Sequence, residues 1–148
     1  MSARNAKASN EAQVRQLITD WVKALQAKDI DELVAHYERG IVLFGIAPPL
    51  SYKGADAYRK NLEGWVLSFQ GPLNYEITDL SITASDDLAF SHSINRLTGT
   101  RKDGEKTDSW MRVTVCFEKV EGEWMVKHEH VSVPFHMDTG KAAIDLKP

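Results

Sequence analysis

The apolar positions along the chain change period near Leu73, dividing a helical part from a strand part. From Asn10, the residues Val14, Leu17, Ile18, Trp21, Val22 and Leu25 recur at the three- and four-residue spacing of one helix face. Asn10 is placed to cap this helix, with Glu11 at the positive end of its dipole, and residues 1–9 are expected to be disordered. Asp29 caps a second, short helix through Ile30, Leu33, Val34 and Tyr37, which Gly40 ends. Residues 41–44 are a short apolar strand. A loop over 45–51 follows, because Pro48 and Pro49 exclude a helix interior or a central strand. The third helix is predicted over 55–69, with Tyr58, Leu62, Trp65, Val66 and Phe69 on one stripe and Gly71-Pro72 as its stop.

Beyond Leu73 the pattern predicts four long strands, 73–84, 88–100, 107–120 and 123–135. The turns between them are Ser85-Asp86-Asp87, Arg101 to Gly104 and Glu121-Gly122; the Asp-Gly of the second is a strong hairpin signal. Three helices followed by a meander predict an α+β domain: a curved antiparallel sheet with the helices packed on its concave face. The domain is expected over 10–136, with 137–148 an irregular tail.

Successive strand residues point to opposite faces, so the inner face can be assigned by alternation. On the strand through Val115, Met111, Val113, Val115 and Phe117 are apolar and face the helices. Trp110, Arg112, Thr114 and Cys116 face away. The preceding strand puts Ser91, Ser93 and Asn95 inside and His92 and Arg96 outside. A tight turn at Gly122 would carry Met125, Lys127, Glu129, Val131, Val133 and Phe135 onto the inner face. Trp124, Val126, His128 and His130 would then lie on the outer one.

That assignment gathers Asn95, Ser93, Lys127 and Glu129 between apolar walls, where burial and a nearby ammonium could tune Glu129 for proton transfer. A cross-face ion pair between Lys127 and Glu129 is the structural alternative. Trp21, Phe44, Tyr58, Trp65, Ser93, Met111, Val113, Val115 and Val131 are expected to line the pocket. Asn95 should be a pocket donor, since an isolated core amide would be left unsatisfied. The outer face carries His92, Trp110, Arg112, His128 and His130, a set that suggests contact between two copies of the chain. His128 and His130 could also supply two metal ligands, but a hydrogen-bonded interface pair is the preferred reading, and no metal or cofactor is expected.

Composition narrows the class. The 148 residues are 43% hydrophobic and 26% charged, as in an ordinary globular domain. A net charge of −3 leaves no footprint for nucleic acid. No apolar run is long enough to span a bilayer, and the first ten residues lack the core of a secretory signal. The single cysteine, Cys116, suits a reducing compartment, so the expected location is the cytoplasm.

Several segments together resemble the nuclear transport factor 2-like superfamily, in its SnoaL-like, ketosteroid isomerase-homologue branch. These are Ala27-Lys-Asp-Ile-Asp-Glu-Leu33, Ala35-His-Tyr37, Tyr52-Lys-Gly-Ala-Asp-Ala-Tyr58, Val115-Cys-Phe-Glu-Lys and Gly122-Glu-Trp-Met-Val-Lys-His-Glu-His-Val-Ser132. The last also resembles the end of the association domain of calcium/calmodulin-dependent kinase II. The resemblance implies a cone-shaped α+β barrel with a pocket between helices and sheet, and homodimers through the outer sheet face. It does not carry over the steroid isomerase chemistry. The general-base aspartate falls on Gly45, the tyrosine donor on Trp21 and the protonated aspartate on Val115. Arginines that line the kinase domain's pocket fall on Asn95, Val115 and Val131. The expected function is therefore binding of a small organic molecule. It is coupled either to cofactor-free isomerisation, dehydration or cyclisation by Glu129, Asn95 and Lys127, or to no chemistry, as in a ligand-binding or oligomerisation module.

Overall fold

The computed structural model describes residues 2–148. Its elements are α1 (Ala3–Gln26), α2 (Ile30–Val34), β1 (Tyr37–Phe44), β2 (Tyr52–Lys53), α3 (Ala55–Leu67), β3 (Phe69–Ala84), β4 (Leu88–Arg101), β5 (Lys106–Val120) and β6 (Glu123–Ser132). The strands form one six-stranded sheet in the order β2-β1-β6-β5-β4-β3. Every pairing is antiparallel except β1 with β6, which is parallel. The helices pack on one face of this sheet, giving the expected α+β cone, mixed rather than wholly antiparallel.

Several boundaries differ from the sequence pattern for identifiable reasons. The first helix begins at Ala3, capped by Ser2, whose hydroxyl accepts from Asn5 N at 3.3 Å. Asn10 is therefore not its cap but a buried strut: Nδ2 donates to Ser85 O at 3.0 Å, and Oδ1 accepts from Lys119 Nζ at 3.1 Å. Tyr37 and Gly40 belong to β1 rather than to the second helix. Asp29 does cap α2, its carboxylate accepting from Glu32 N at 3.2 Å. Phe69 opens β3 instead of closing α3, and Gly71-Pro72 is not a helix stop. These two residues sit in a register break between Gln70 and Leu73 on an edge strand, where a missing N–H breaks no ladder.

The strand assignments for β4 and β5 hold: Ser91, Ser93, Asn95, Met111, Val113 and Phe117 are all buried. The hairpin from Val120 to Glu123 is tight, with both central residues at positive φ, Glu121 at 50° and Gly122 at 82°.

Beyond that turn, β6 departs from simple alternation. Cys116 pairs with His128, yet Phe117 pairs with Val126, so Lys127 is the extra residue of a β-bulge. The bulge reverses parity along the strand. Before it, Trp124 and Val126 are buried; after it, Glu129 is. Lys127 is thereby corrected from the inner face to the surface, where its Nζ pairs with Glu118 at 2.5 Å and lies 3.8 Å from Glu38.

Two apolar clusters fill the interior. One joins Leu25, Leu33, Leu62, Val66 and Phe69 to the ends of β3–β5; the other joins Val14, Ile41, Leu43, Phe117 and Val126. Trp21, Val34, Tyr58 and Val115 pack against both. The C-terminal segment folds back after β6 through a bridge between Phe135 and Ala142, and Ala143 N donates to Pro134 O at 2.7 Å. Among the described residues, no helix is long and apolar enough to cross a membrane.

Candidate functional site

Between the two clusters the interior holds two adjoining hollows. An inner chamber of about 50 Å³ is lined by Leu17 and Ile18 of α1, by Ser91, Ser93 and Asn95 of β4, and by Val113, Val115 and Phe117 of β5. A mouth chamber of about 300 Å³ is lined by the loop residues Gly45 to Ala47, by Tyr58, Leu62 and Trp65 of α3, and by Met111 and Val131. Trp21, Tyr75 and Glu129 line both and form the neck between them. No residue beyond Val131 lines either chamber. A third, more open hollow of about 500 Å³ shares Gly45, Ile46 and Val131 with the mouth and is walled by Pro134, Phe135, Gly140 and Ala142 of the C-terminal segment.

Glu129 is the only acidic side chain in either lining. It is 9% exposed and no ammonium or guanidinium pairs with it among the described residues. Burial raises its pKa to about 7, against a smaller lowering from the Tyr37 hydrogen bond. The Tyr37 hydroxyl donates to Glu129 Oε2 at 3.3 Å and accepts from Trp21 Nε1 at 3.2 Å. This chain of donors starts on α1, passes through β1 and ends on β6. Burial first, and then the charge of Glu129, hold the Tyr37 and Tyr58 hydroxyls well above the ordinary phenol range. Both stay neutral near pH 7 and can only donate or accept hydrogen bonds.

Across the cavity Asn95 is 2% exposed, and its Nδ2 donates to the Tyr75 hydroxyl at 2.8 Å. Burial raises the Tyr75 pKa, so this hydroxyl is also neutral. Tyr75 and Trp21 stack edge to face with centroids 5.4 Å apart, which fixes one side of the neck.

Of the residues expected in the pocket, Trp21, Ser93, Val113 and Val115 line the inner chamber, and Tyr58, Trp65, Met111 and Val131 the mouth. Glu129 and Asn95 lie on the same cavity. Two expectations fail. Lys127 faces outward because of the bulge. Phe44 also faces outward, because the inward residues of β1 are Tyr37, Ile41 and Leu43, leaving Phe44 opposite. Its ring packs edge to face on His128 and His130, with centroids at 4.8 and 5.4 Å. Tyr37 and Tyr75 are the residues that sequence reasoning missed. Tyr37 had been given to a helix. Tyr75 does share strand parity with buried Leu73, a signal that could have placed it inside.

The outer face carries His92, Trp110, Arg112, His128 and His130 as expected. His128 Nδ1 lies 2.6 Å from Val42 O, and Arg112 Nε donates to Ser132 Oγ at 3.2 Å. Among the described residues no group of three or more His, Cys, Asp or Glu side chains is gathered closely enough to hold a metal ion.

An α+β cone with an acid in a largely apolar pocket between helices and sheet defines the class. The sequence matches the SnoaL-like domain family over residues 14–136, and the chain belongs to that family, within the nuclear transport factor 2-like superfamily. No curated protein matches it. Among solved structures it is similar to an NTF2-like protein of unknown function from Pseudomonas putida KT2440. The two are 38% identical, with 95% of this chain and 98% of that one covered and a TM-score of 0.87. The fold is shared with a candidate scytalone dehydratase from Novosphingobium aromaticivorans (18% identity, 97% and 99% covered, TM-score 0.75). It is shared also with a ketosteroid isomerase-like protein from Erwinia carotovora atroseptica (23% identity, 82% and 94% covered, TM-score 0.70).

Proposed function

We propose that this SnoaL-like domain binds a small, uncharged, largely apolar organic molecule and moves a proton on it, with Glu129 as the general base and acid. The observation that carries this reading is the Glu129 carboxyl itself, buried at the neck of an apolar cavity with its pKa raised to about 7. A carboxyl poised near neutrality can take a proton from a carbon acid and return it to another atom of the same molecule. Cofactor-free isomerisation, dehydration and cyclisation all need such a step.

Tyr37 serves as a positioning residue, holding one carboxyl oxygen while the other is free to face the ligand. Negative charge developing on the substrate would not meet Lys127, which is outside, and the one cationic side chain lining the cavity is Arg101 at the mouth. Neutral donors such as the Tyr58 hydroxyl would take the place of Lys127. The outer face, with Trp110, Arg112 and the Phe44–His128–His130 cluster, is proposed as the contact between two copies in a homodimer.

The test is proton–deuteron exchange. Cyclic ketones and β-hydroxyketones are incubated with protein in D₂O, and loss of the α-proton is followed by NMR. On this reading at least one ketone exchanges about 100-fold faster with the native protein than with Glu129→Gln. The outward position of Lys127 favours a second reading, a ligand-binding module without chemistry. In that case ketones bind and exchange at the same rate with both proteins.

A further inference from the structure

Asn95 Oδ1 is a buried side-chain polar atom without a hydrogen-bond partner. Such orphans are uncommon, because a desolvated acceptor left unpaired has lost its hydrogen bonds to water without replacement. The amide belongs to a two-residue unit: its Nδ2 donates to the Tyr75 oxygen, which leaves the Tyr75 O–H proton with no acceptor among the described residues. Exchanging the amide oxygen and nitrogen does not remove the deficit. Oδ1 would then accept from Tyr75, and the Nδ2 donors would be the orphans. In either orientation one neutral side-chain pair keeps unused hydrogen-bonding capacity at the inner chamber. Ser91 and Ser93, buried on the same strand, line that chamber too. Apart from Tyr37 and Glu129 at the neck, the remaining walls, Leu17, Ile18, Val113 and Phe117 among them, are apolar.

We propose that Asn95 and Tyr75 form a hydroxyl-recognition subsite, so that the ligand is a neutral compound bearing a hydroxyl group that enters the inner chamber. A hydroxyl donates one hydrogen bond and accepts others, which matches an acceptor and a donor held side by side. An anionic group does not match, because no cation lines the inner chamber and Glu129 lies at its neck. The chamber has room for the hydroxyl and the carbon that carries it, while the apolar body of the molecule stays in the mouth beside Trp65, Met111 and Val131. Specificity then lies in the deep subsite. A ligand lacking the hydroxyl would bury the pair unsatisfied, the situation in which a polar site rejects an analogue most strongly.

This inference rests on the pocket reading above but not on catalysis, and equilibrium binding separates the two. 4-Hydroxypropiophenone and 4-methylpropiophenone, which differ by a hydroxyl for a methyl, are titrated calorimetrically into the native protein. The same titrations are made with Asn95→Leu, Tyr75→Phe and Glu129→Gln, each checked for native circular dichroism. The native protein is expected to prefer the hydroxyl compound about tenfold or more. Asn95→Leu and Tyr75→Phe should cut that preference severalfold, and Glu129→Gln should keep it. Equal affinities in the native protein would overturn the subsite without any variant having to fold. So would a preference that survives both substitutions, or one lost only in Glu129→Gln, which would assign the hydroxyl to the carboxylate. If neither compound binds, the pocket reading falls together with this one.

Discussion

The Tyr37 hydroxyl donates to the Glu129 carboxylate across 92 residues of sequence, at 3.3 Å, from the first strand to the last. The contact exists because β1 lies parallel beside β6, with Tyr37 opposite Val126 and Leu43 opposite Glu129. It joins the buried acid to α1 through Trp21.

Burial of Glu129 makes stability depend on pH in a defined direction. Its folded pKa of about 7 lies above the ordinary value of 4.5, so between these values the native state retains a proton that the unfolded chain has released. Stability attributable to this group is therefore highest below pH 4.5, falls as pH rises to about 7, and is level above that. The full difference is on the order of 3 kcal/mol. Glu129→Gln should match the native protein at pH 4.5 and exceed it at pH 8. Urea titrations at the two pH values measure this, and a gap that fails to widen with pH would contradict the burial argument.

Tyr37→Phe removes the one hydrogen bond that lowers the Glu129 pKa. The carboxyl should titrate at higher pH in this variant, seen directly by ¹³C NMR of the Glu129 δ-carbon. Any proton-exchange activity should show its acidic limb displaced upward by the same amount, because the carboxylate form of Glu129 is the one that takes the proton. A purely packing role for Tyr37 would leave both unmoved.

Lys127→Ala should leave ligand binding and the Glu129 titration unchanged, because the ammonium pairs with Glu118 on the outside of the bulge. A shifted Glu129 titration would place the ammonium inside after all.

Gly99→Ala should destabilise the fold by about 1–3 kcal/mol through overpacking. A Cβ there would sit 2.9 Å from Phe69 Cδ1 and 3.2 Å from Leu73 Cδ1, inside the first core cluster. Chemical denaturation reads the loss directly.

If the outer sheet face joins two copies, the double substitution Arg112→Glu and His130→Glu should place like charges across the contact. Sedimentation equilibrium should then show a dimer for the native protein and a monomer for the variant. A native monomer at micromolar concentration would overturn the proposed contact.

The sequence by itself determined the order of elements except the two-residue β2 (Tyr52–Lys53), which it did not show, together with the change from helical to strand period and the inward faces of β4 and β5. Each of these is a repeating local pattern, and burying the apolar side of such a pattern leaves one good orientation. It also placed Asn95 and Glu129 on the inner face. The bulge at Lys127 was decided by pairing with β5. Its trace was the apolar pair Trp124 and Val126 standing on the opposite parity from Val131 and Val133, a conflict that one extra residue resolves. Phe44 is apolar yet outside, since Ile41 and Leu43 already fill the inward places of its strand. The contacts of Tyr37 with Glu129 and of Tyr75 with Asn95 belong to the tertiary structure alone. They depend on which strands become neighbours, and that is settled by closing the sheet around the helices, not by any pattern within reach of a single segment.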